Sequence, residues 1–200
     1  MKKLFVLLFI LTPLISYSQF KFPNDANFRY YHLDHFKDFD IKPNIEKSMS
    51  FELRLWVSTF TKLPVLLKLT YNNECIWKAE KYIVNENKNN EYKVIKSEIL
   101  LPENWNELWD SLVVSNILTL PDNPTFKHKR IEKDDGIPVV DIAITDGTSY
   151  TVDLLSRENN RQYSITNPIG YYRFYKDSQP LKDFNRILEI LSEVFKYKFE

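Results

Sequence analysis

Four strand-like segments follow one another between residues 51 and 101, and this run restricts the fold more than any other feature of the sequence. In the first segment, apolar Phe51, Leu53 and Leu55 alternate with Glu52 and Arg54, which is the period-two pattern of a half-buried strand. The three segments that follow are also rich in apolar residues and are separated by short polar connections: 65–71, 75–84 and 92–101. Consecutive strands with short connections predict an antiparallel meander.

The second half of the chain adds helices and a further group of strands. Apolar residues recur at spacings of three and four within 103–116, directly after Pro102, which predicts an amphipathic helix. Strands are expected near 139–145, 149–156 and 161–166, and a second helix begins at Asp177 or Ser178, with Pro180 in its first turn. The prediction is an α+β fold with about seven antiparallel strands, a four-strand meander, a helix and a three-strand meander, and two amphipathic helices packed on the sheet.

The N-terminus has the features of a cleavable signal peptide. Met1 is followed by two lysines, then by a mostly apolar run from Leu4 to Ile15 and the small residues around the site between Ser18 and Gln19. A membrane anchor is the alternative, but the apolar run is shorter than the roughly 20 residues that a spanning helix needs. We therefore expect a secreted or periplasmic protein without a membrane span after cleavage, organised as an irregular arm over 19–50 and one domain over 51–200.

The composition argues against several classes of function. Without the leader, 25 basic and 27 acidic residues remain, a balance that offers no basic surface for nucleic acid. The chain has 3 glycines, too few for the glycine-rich loops that bind nucleotides, and we predict no cofactor. Cys75 is the only cysteine, so no intramolecular disulfide can form, and its favoured interpretation is a small buried apolar residue.

A pair of aspartates is the first candidate site. If the turn after Thr145 has three residues, with Gly147 in a left-handed conformation, Asp141 lies opposite Asp153, and Ser164 lies beside Asp153 on the next strand. Opposed carboxylates repel, so a nearby arginine or lysine, a bound cation or a shared proton should offset the repulsion. Such a pair also resembles the carboxylates of retaining glycosidases, which are about 5 Å apart.

The other polar candidates have weaker patterns. Glu52, Arg54 and Trp56 share one face of the first strand, where they could bind a carboxylate or a ring, or form a structural ion pair beside a half-buried tryptophan. His32 and His35 have a spacing compatible with a shared metal, but a zinc site needs three or four ligands. The third histidine and the cysteine lie far away in sequence, so we predict no metal site.

A diffuse resemblance extends over about residues 51–170. It comprises Glu52 to Phe60, the Leu63-Pro64 pair, the Trp105–Trp109 helix, Asp135-Gly136 and the stretch from Tyr163 to Pro168. In these features the chain resembles an uncharacterised group of small exported or periplasmic bacterial proteins. The resemblance implies a single exported domain and no particular chemistry.

Three functional hypotheses follow from these patterns, and the third is a purely structural partner subunit. The favoured one is a non-enzymatic domain that binds an exported protein, a glycan or a small ligand, because rings and carboxylates are expected on the sheet. The alternative is a hydrolase, with glycans as its candidate substrate, that uses Asp141 and Asp153. No catalytic residue is assigned by motif.

Overall fold

The computed structural model describes residues 20–23, 39, 41–42, 44–59, 63–86, 92–122, 131–132, 138–139 and 147–199. Within these ranges the chain has an α+β fold. The eight strands are β1 (Met49–Thr59), β2 (Val65–Asn72), β3 (Trp77–Glu86), β4 (Tyr92–Ile99), β5 (Ile131–Glu132), β6 (Pro138–Val139), β7 (Thr148–Ser156) and β8 (Asn160–Thr166). The three helices are α1 (Trp105–Val114), α2 (Pro168–Phe174) and α3 (Gln179–Phe195).

Six of the strands form one antiparallel sheet in the order β4-β3-β2-β1-β7-β8. The predicted four-strand meander is confirmed, and β7 joins it along the free edge of β1. The prediction of seven strands in this sheet is wrong in detail. Of the strand expected at 139–145 only Val139 lies within the described residues, and it belongs to a separate two-stranded pair of β5 and β6.

The helices cover one face of the sheet, which we call the helix face. Phe51, Leu53 and Leu55 of β1 are at most 1% exposed on this face, and they share a core cluster with Trp109 of α1 and Leu188 of α3. Both predicted helices are confirmed. The short helix α2 was missed in the sequence, where its signal is Pro168 at the first helical position.

The opposite face of the sheet, which we call the second face, is buried as well. Trp56 is 1% exposed there and shares a smaller cluster with Leu66 and Tyr82. Phe39 packs edge-on against Trp56, with ring centroids 5.5 Å apart, and Ile41 belongs to the same cluster. The expectation that β1 is half-buried is therefore wrong: residues that precede the sheet cover its polar side.

The N-terminal arm contributes to the helix face too. Phe20 stacks on Phe51 with ring centroids 4.4 Å apart, and it contacts the rings of Tyr71, Trp77 and Trp109. The start of the predicted arm is thus part of the main core. Residues 1–19 lie outside the described residues, so the leader and its cleavage site stay predictions. Among the described helices, none combines the length and apolar character required to cross a membrane.

The register of β7 differs from the prediction. Asp153 lies between Arg54 of β1 and Gln162 of β8, so both of its neighbouring positions are filled and Asp141 cannot lie opposite it in the sheet. The predicted Asp141–Asp153 pair is therefore wrong, and Asp141 itself lies outside the described residues. Ser164 is opposite Thr151 rather than Asp153, a shift of two residues that leaves the faces unchanged.

Gly147 precedes β7, and its small size matters more than its backbone freedom. A Cβ atom there would lie 1.2 Å from Oδ1 of Asn167. A larger residue at position 147 would therefore have to push aside the side chain of Asn167, the residue before α2.

Candidate functional site

Arg54 is the centre of a buried polar group on the second face. It is 1% exposed and Glu52 is 4% exposed, and the Nε of Arg54 donates to Oε1 of Glu52 over 2.5 Å. Its Nη2 donates to the carbonyl oxygen of Lys42 over 2.7 Å. Since the cross-strand neighbour of Arg54 is Asp153, one guanidinium lies beside two carboxylates.

Asp153 accepts two hydrogen bonds from side chains. The indole Nε1 of Trp56 donates to its Oδ2 over 2.8 Å, and Nε2 of Gln162 donates to its Oδ1 over 2.6 Å. Burial raises the pKa of Asp153 above its ordinary value, and the two hydrogen bonds and the charge of Arg54 act in the opposite direction. Sequence reasoning correctly grouped Glu52, Arg54 and Trp56, and the structure adds Asp153 to them.

This group is a structural network rather than an open binding site. Asp153 is 0% exposed, and its side chain has partners on both oxygens. Ser164, the remaining candidate, shares a hydrogen bond with Thr151, their hydroxyl oxygens 3.0 Å apart. A ligand would have to displace the segment that contains Phe39 and Ile41 to reach these polar atoms.

The polar group continues across the sheet towards β4. Lys68, the neighbour of Arg54 on β2, lies 2.6 Å from a carboxylate oxygen of Glu80, and Lys96 lies 2.5 Å from the other. The hydroxyl of Tyr82 donates to Glu80 over 2.9 Å. Burial alone would raise the pKa of Glu80, but the bonds from the two lysines outweigh it and lower the pKa to about 2.

We expect Glu80→Gln to lower the free energy of unfolding at pH 7 by on the order of 2 kcal/mol. A lowered folded-state pKa gives stability that is present above the unfolded pKa near 4.5 and is lost as the pH falls towards 2. The difference in the free energy of unfolding between the parent chain and Glu80→Gln should therefore become smaller between pH 4.5 and pH 2, as measured by urea denaturation. Glu189→Gln is the control, because Glu189 pairs with Arg186 on the surface and its removal should cost at most about 0.5 kcal/mol at any pH. A pH-independent difference for Glu80→Gln would contradict the assignment.

A cavity of about 260 Å³ lies at the end of the sheet where the β2–β3 and β7–β8 turns meet the N-terminal arm. We call it the turn pocket. Its volume is near the lower end of the range for small-molecule sites. The residues around it are Phe20, Lys21, Ser50, Tyr71, Asn72, Asn73, Cys75, Ser156, Arg157, Glu158 and Asn159.

Hydrogen bonds between the turns hold the wall of the turn pocket. Asn73 accepts bonds at Oδ1 from the hydroxyl of Ser50 over 2.9 Å and from Nη2 of Arg157 over 2.7 Å. Its own amide donates to the carbonyl oxygen of Lys47, which also accepts a bond from Nη2 of Arg157. These contacts join β1, the β2–β3 turn and the β7–β8 turn, so the shape of the pocket is set before any ligand arrives.

The pocket combines cationic and aromatic groups. Its lining residues include two cations, Lys21 and Arg157, and one acid, Glu158. Among the guanidinium nitrogens of Arg157, only Nη2 has a hydrogen-bond partner within the described ranges. Phe20 and Tyr71 form the apolar side. An arginine with free N–H groups beside rings is suited to a carboxylate that carries an apolar body.

Cys75 is exposed at the rim of this pocket, and the expectation of a buried apolar cysteine is wrong. Its backbone has a φ of 63°, because the residue lies in the tight turn that Asn72 stabilises by accepting backbone N–H groups of Glu74 and Ile76. Burial and a hydrogen bond with Cys75 raise the pKa of Tyr71 to about 12.

Metal ligands and the histidines give no further site. Over the described stretches of the chain, no three histidine, cysteine or acidic side chains are close enough to hold a metal ion. His32 and His35, together with His128, lie outside those stretches.

The turn pocket was missed in the sequence because its residues come from four separate parts of the chain; the Asn72-Asn73 turn signal was the only local indication.

Comparisons with known proteins add no relative. No model of a known protein family matches this chain, and no curated protein has a significantly similar sequence. The case for function therefore depends on the geometry of the turn pocket.

Proposed function

We propose that this chain is an exported, non-enzymatic binding domain and that the turn pocket binds a small anionic molecule with an aromatic or other apolar body. The observation that carries the proposal is the position of Arg157, whose Nη2 is fixed by two acceptors while its other N–H groups have no partner among the described residues, at a pocket lined by Phe20 and Tyr71. A fixed guanidinium loses little freedom when it binds a carboxylate, which favours affinity.

The hydrolase hypothesis has lost its proposed active site. It needed Asp141 opposite Asp153, and the latter is buried between Arg54 and Gln162. The binding hypothesis also moves to a new place, since the rings of the C-terminal third offer little exposed surface on the sheet: Tyr150 and Tyr163 are at most 1% exposed, whereas Phe174 on α2 is 44% exposed.

Phenylacetate and its neutral amide, phenylacetamide, are matched probes for this pocket. We expect phenylacetate to bind with a dissociation constant of about 1 mM, and the amide to bind about tenfold more weakly, because a hydrogen bond to a charged group contributes roughly 1.5 kcal/mol. Amide chemical shifts of Ser50, Asn73 and Asn159 should move in an NMR titration, and the probe should slow alkylation of Cys75.

Variants separate the pocket from nonspecific anion binding. Arg157→Gln should remove the preference for phenylacetate, whereas Arg186→Gln, a surface change on α3, should leave it intact. If neither probe moves the pocket amides at millimolar concentration, or if Arg186→Gln has the same effect as Arg157→Gln, the proposed function is wrong.

A further inference from the structure

The two edges of the main sheet differ in how they are covered. On β8, the backbone N–H of Ser164 donates to Oδ1 of Asp122 over 2.8 Å, and the guanidinium of Arg161 donates to the carbonyl oxygens of Leu118 and Leu120. The segment after α1 therefore occupies this edge. A further strand cannot add there without displacing it.

The β4 edge is open in the part of the chain that the structure describes. Its partner in the sheet is β3, and no described segment pairs with its outer side. Ile95 is 44% exposed, its neighbour Ile83 on β3 is 37% exposed, and Leu100 just beyond the strand is 95% exposed. An eight-residue edge with unpaired backbone groups and exposed apolar side chains is a template for another strand.

We propose that β4 pairs antiparallel with β4 of a second copy of this chain, with Ser97 opposite Ser97 on the twofold axis. This arrangement joins the two six-stranded sheets into one continuous sheet. Around the axis the facing pairs are complementary and each forms twice: Val94 with Leu100, Ile95 with Ile99, and Lys96 with Glu98.

Charge selects this register over its neighbours. Moving the axis by one residue places either Lys96 opposite Lys96 or Glu98 opposite Glu98, and like charges directly opposite each other are destabilising. Placing the axis at Ile95 instead puts Val94 opposite Lys96 and loses the ion pairs. Lysines on an edge strand often prevent pairing, but here the 55% exposed Lys96 side chain, which contacts Glu80 of its own chain, gains a second acidic partner on the second copy.

The apolar pairs extend an existing row on the helix face. Ile83 of β3 lies opposite Ile95 of β4, so pairing would continue this row to Ile99 of the second copy. Ile95 would pack beside Ile99 of the second copy, and backbone hydrogen bonds would add affinity, as in other cases of strand addition.

Disulfide trapping tests the register. In a Cys75→Ser background, Ser97→Cys places two thiols on the twofold axis, where opposed Cβ atoms are about 5 Å apart, and mild oxidation should give a covalent dimer. Lys93→Cys is the matched control on the same strand and face. In the proposed register its copies are about 27 Å apart, since they are displaced by eight residues of strand, so this variant should stay monomeric on a nonreducing gel.

Glu98→Lys tests the interaction in solution. It places lysine opposite Lys96 of the second copy at two positions and should raise the dissociation constant of the dimer roughly tenfold or more. The fold should survive, because Glu98 lies opposite Glu80 within the monomer and lysine there replaces a like-charge pair.

Sedimentation equilibrium gives the dissociation constants, and circular dichroism checks folding. A dimer of the parent chain, weakened by Glu98→Lys and trapped by Ser97→Cys alone, supports the proposal. A parent chain that is monomeric throughout the micromolar range overturns it, and so does equal trapping of Ser97→Cys and Lys93→Cys.

Discussion

Replacing Arg54 with methionine is expected to lower the free energy of unfolding by about 3–5 kcal/mol, because removal of one member of a buried ion pair leaves a buried charge without its partner. Glu52 is 4% exposed and would lose its cation, and Asp153 would lose the positive charge beside it. Guanidinium chloride denaturation of the parent chain and of Arg54→Met measures the difference. A loss below 1 kcal/mol would show that the network is dispensable.

A double substitution separates the lost charge pair from lost packing. Arg54→Met combined with Glu52→Gln should recover a large part of the stability, since a buried glutamine carries no charge. Arg186→Met is the surface control, where the arginine pairs with Glu189 and the expected change is at most about 0.5 kcal/mol. No recovery in the double variant would mean that the charge of Glu52 is not the source of the loss, which would then lie with Asp153 or with packing of the arginine stem.

Phe20→Ala should be nearly as damaging, at about 3–4 kcal/mol, because it removes a buried aromatic ring from the core. The ring is 9% exposed and stacks on Phe51, so the chain just after the predicted cleavage site belongs to the folding unit. Thermal and chemical unfolding measure the change. Phe174→Ala is the matched control, since that ring is 44% exposed on α2 and its loss should cost under about 1 kcal/mol. Equal effects of the two substitutions would place Phe20 outside the core.

Much of the sheet could be predicted because its local signals agree. β1 to β4 alternate with period two or carry apolar runs, and the polar turn at Asn72-Asn73 separates two of them. The register of β7 and β8 was predicted two residues away from the observed one. The β7–β8 register follows from the turn that joins the two strands. The hydroxyl of Ser156 accepts the backbone N–H of Asn159, which fixes this turn through Arg157 and Glu158.

The pairing of β7 with β1 could not be predicted from local pattern. Trp56 and Asp153 are 97 residues apart in sequence, and nothing near either one indicates the other. For the same reason the alternation of Glu52 and Arg54 with apolar residues suggested a solvated face, because a buried ion pair and an exposed one have the same sequence pattern. The turn pocket likewise depends on long-range packing.

The position of β1 at the centre of the sheet also orders events when the chain folds. The strands from β1 to β4 are neighbours along the chain, so they can pair by closing short loops, whereas β7 must return across about a hundred residues. Contacts between distant residues form slowly, because the entropy of closing a long loop is lost before the contact repays it. The docking of β7 is therefore expected to limit the folding rate. Until β7 docks, the early meander presents two unpaired outer strands, β1 and β4, to other chains.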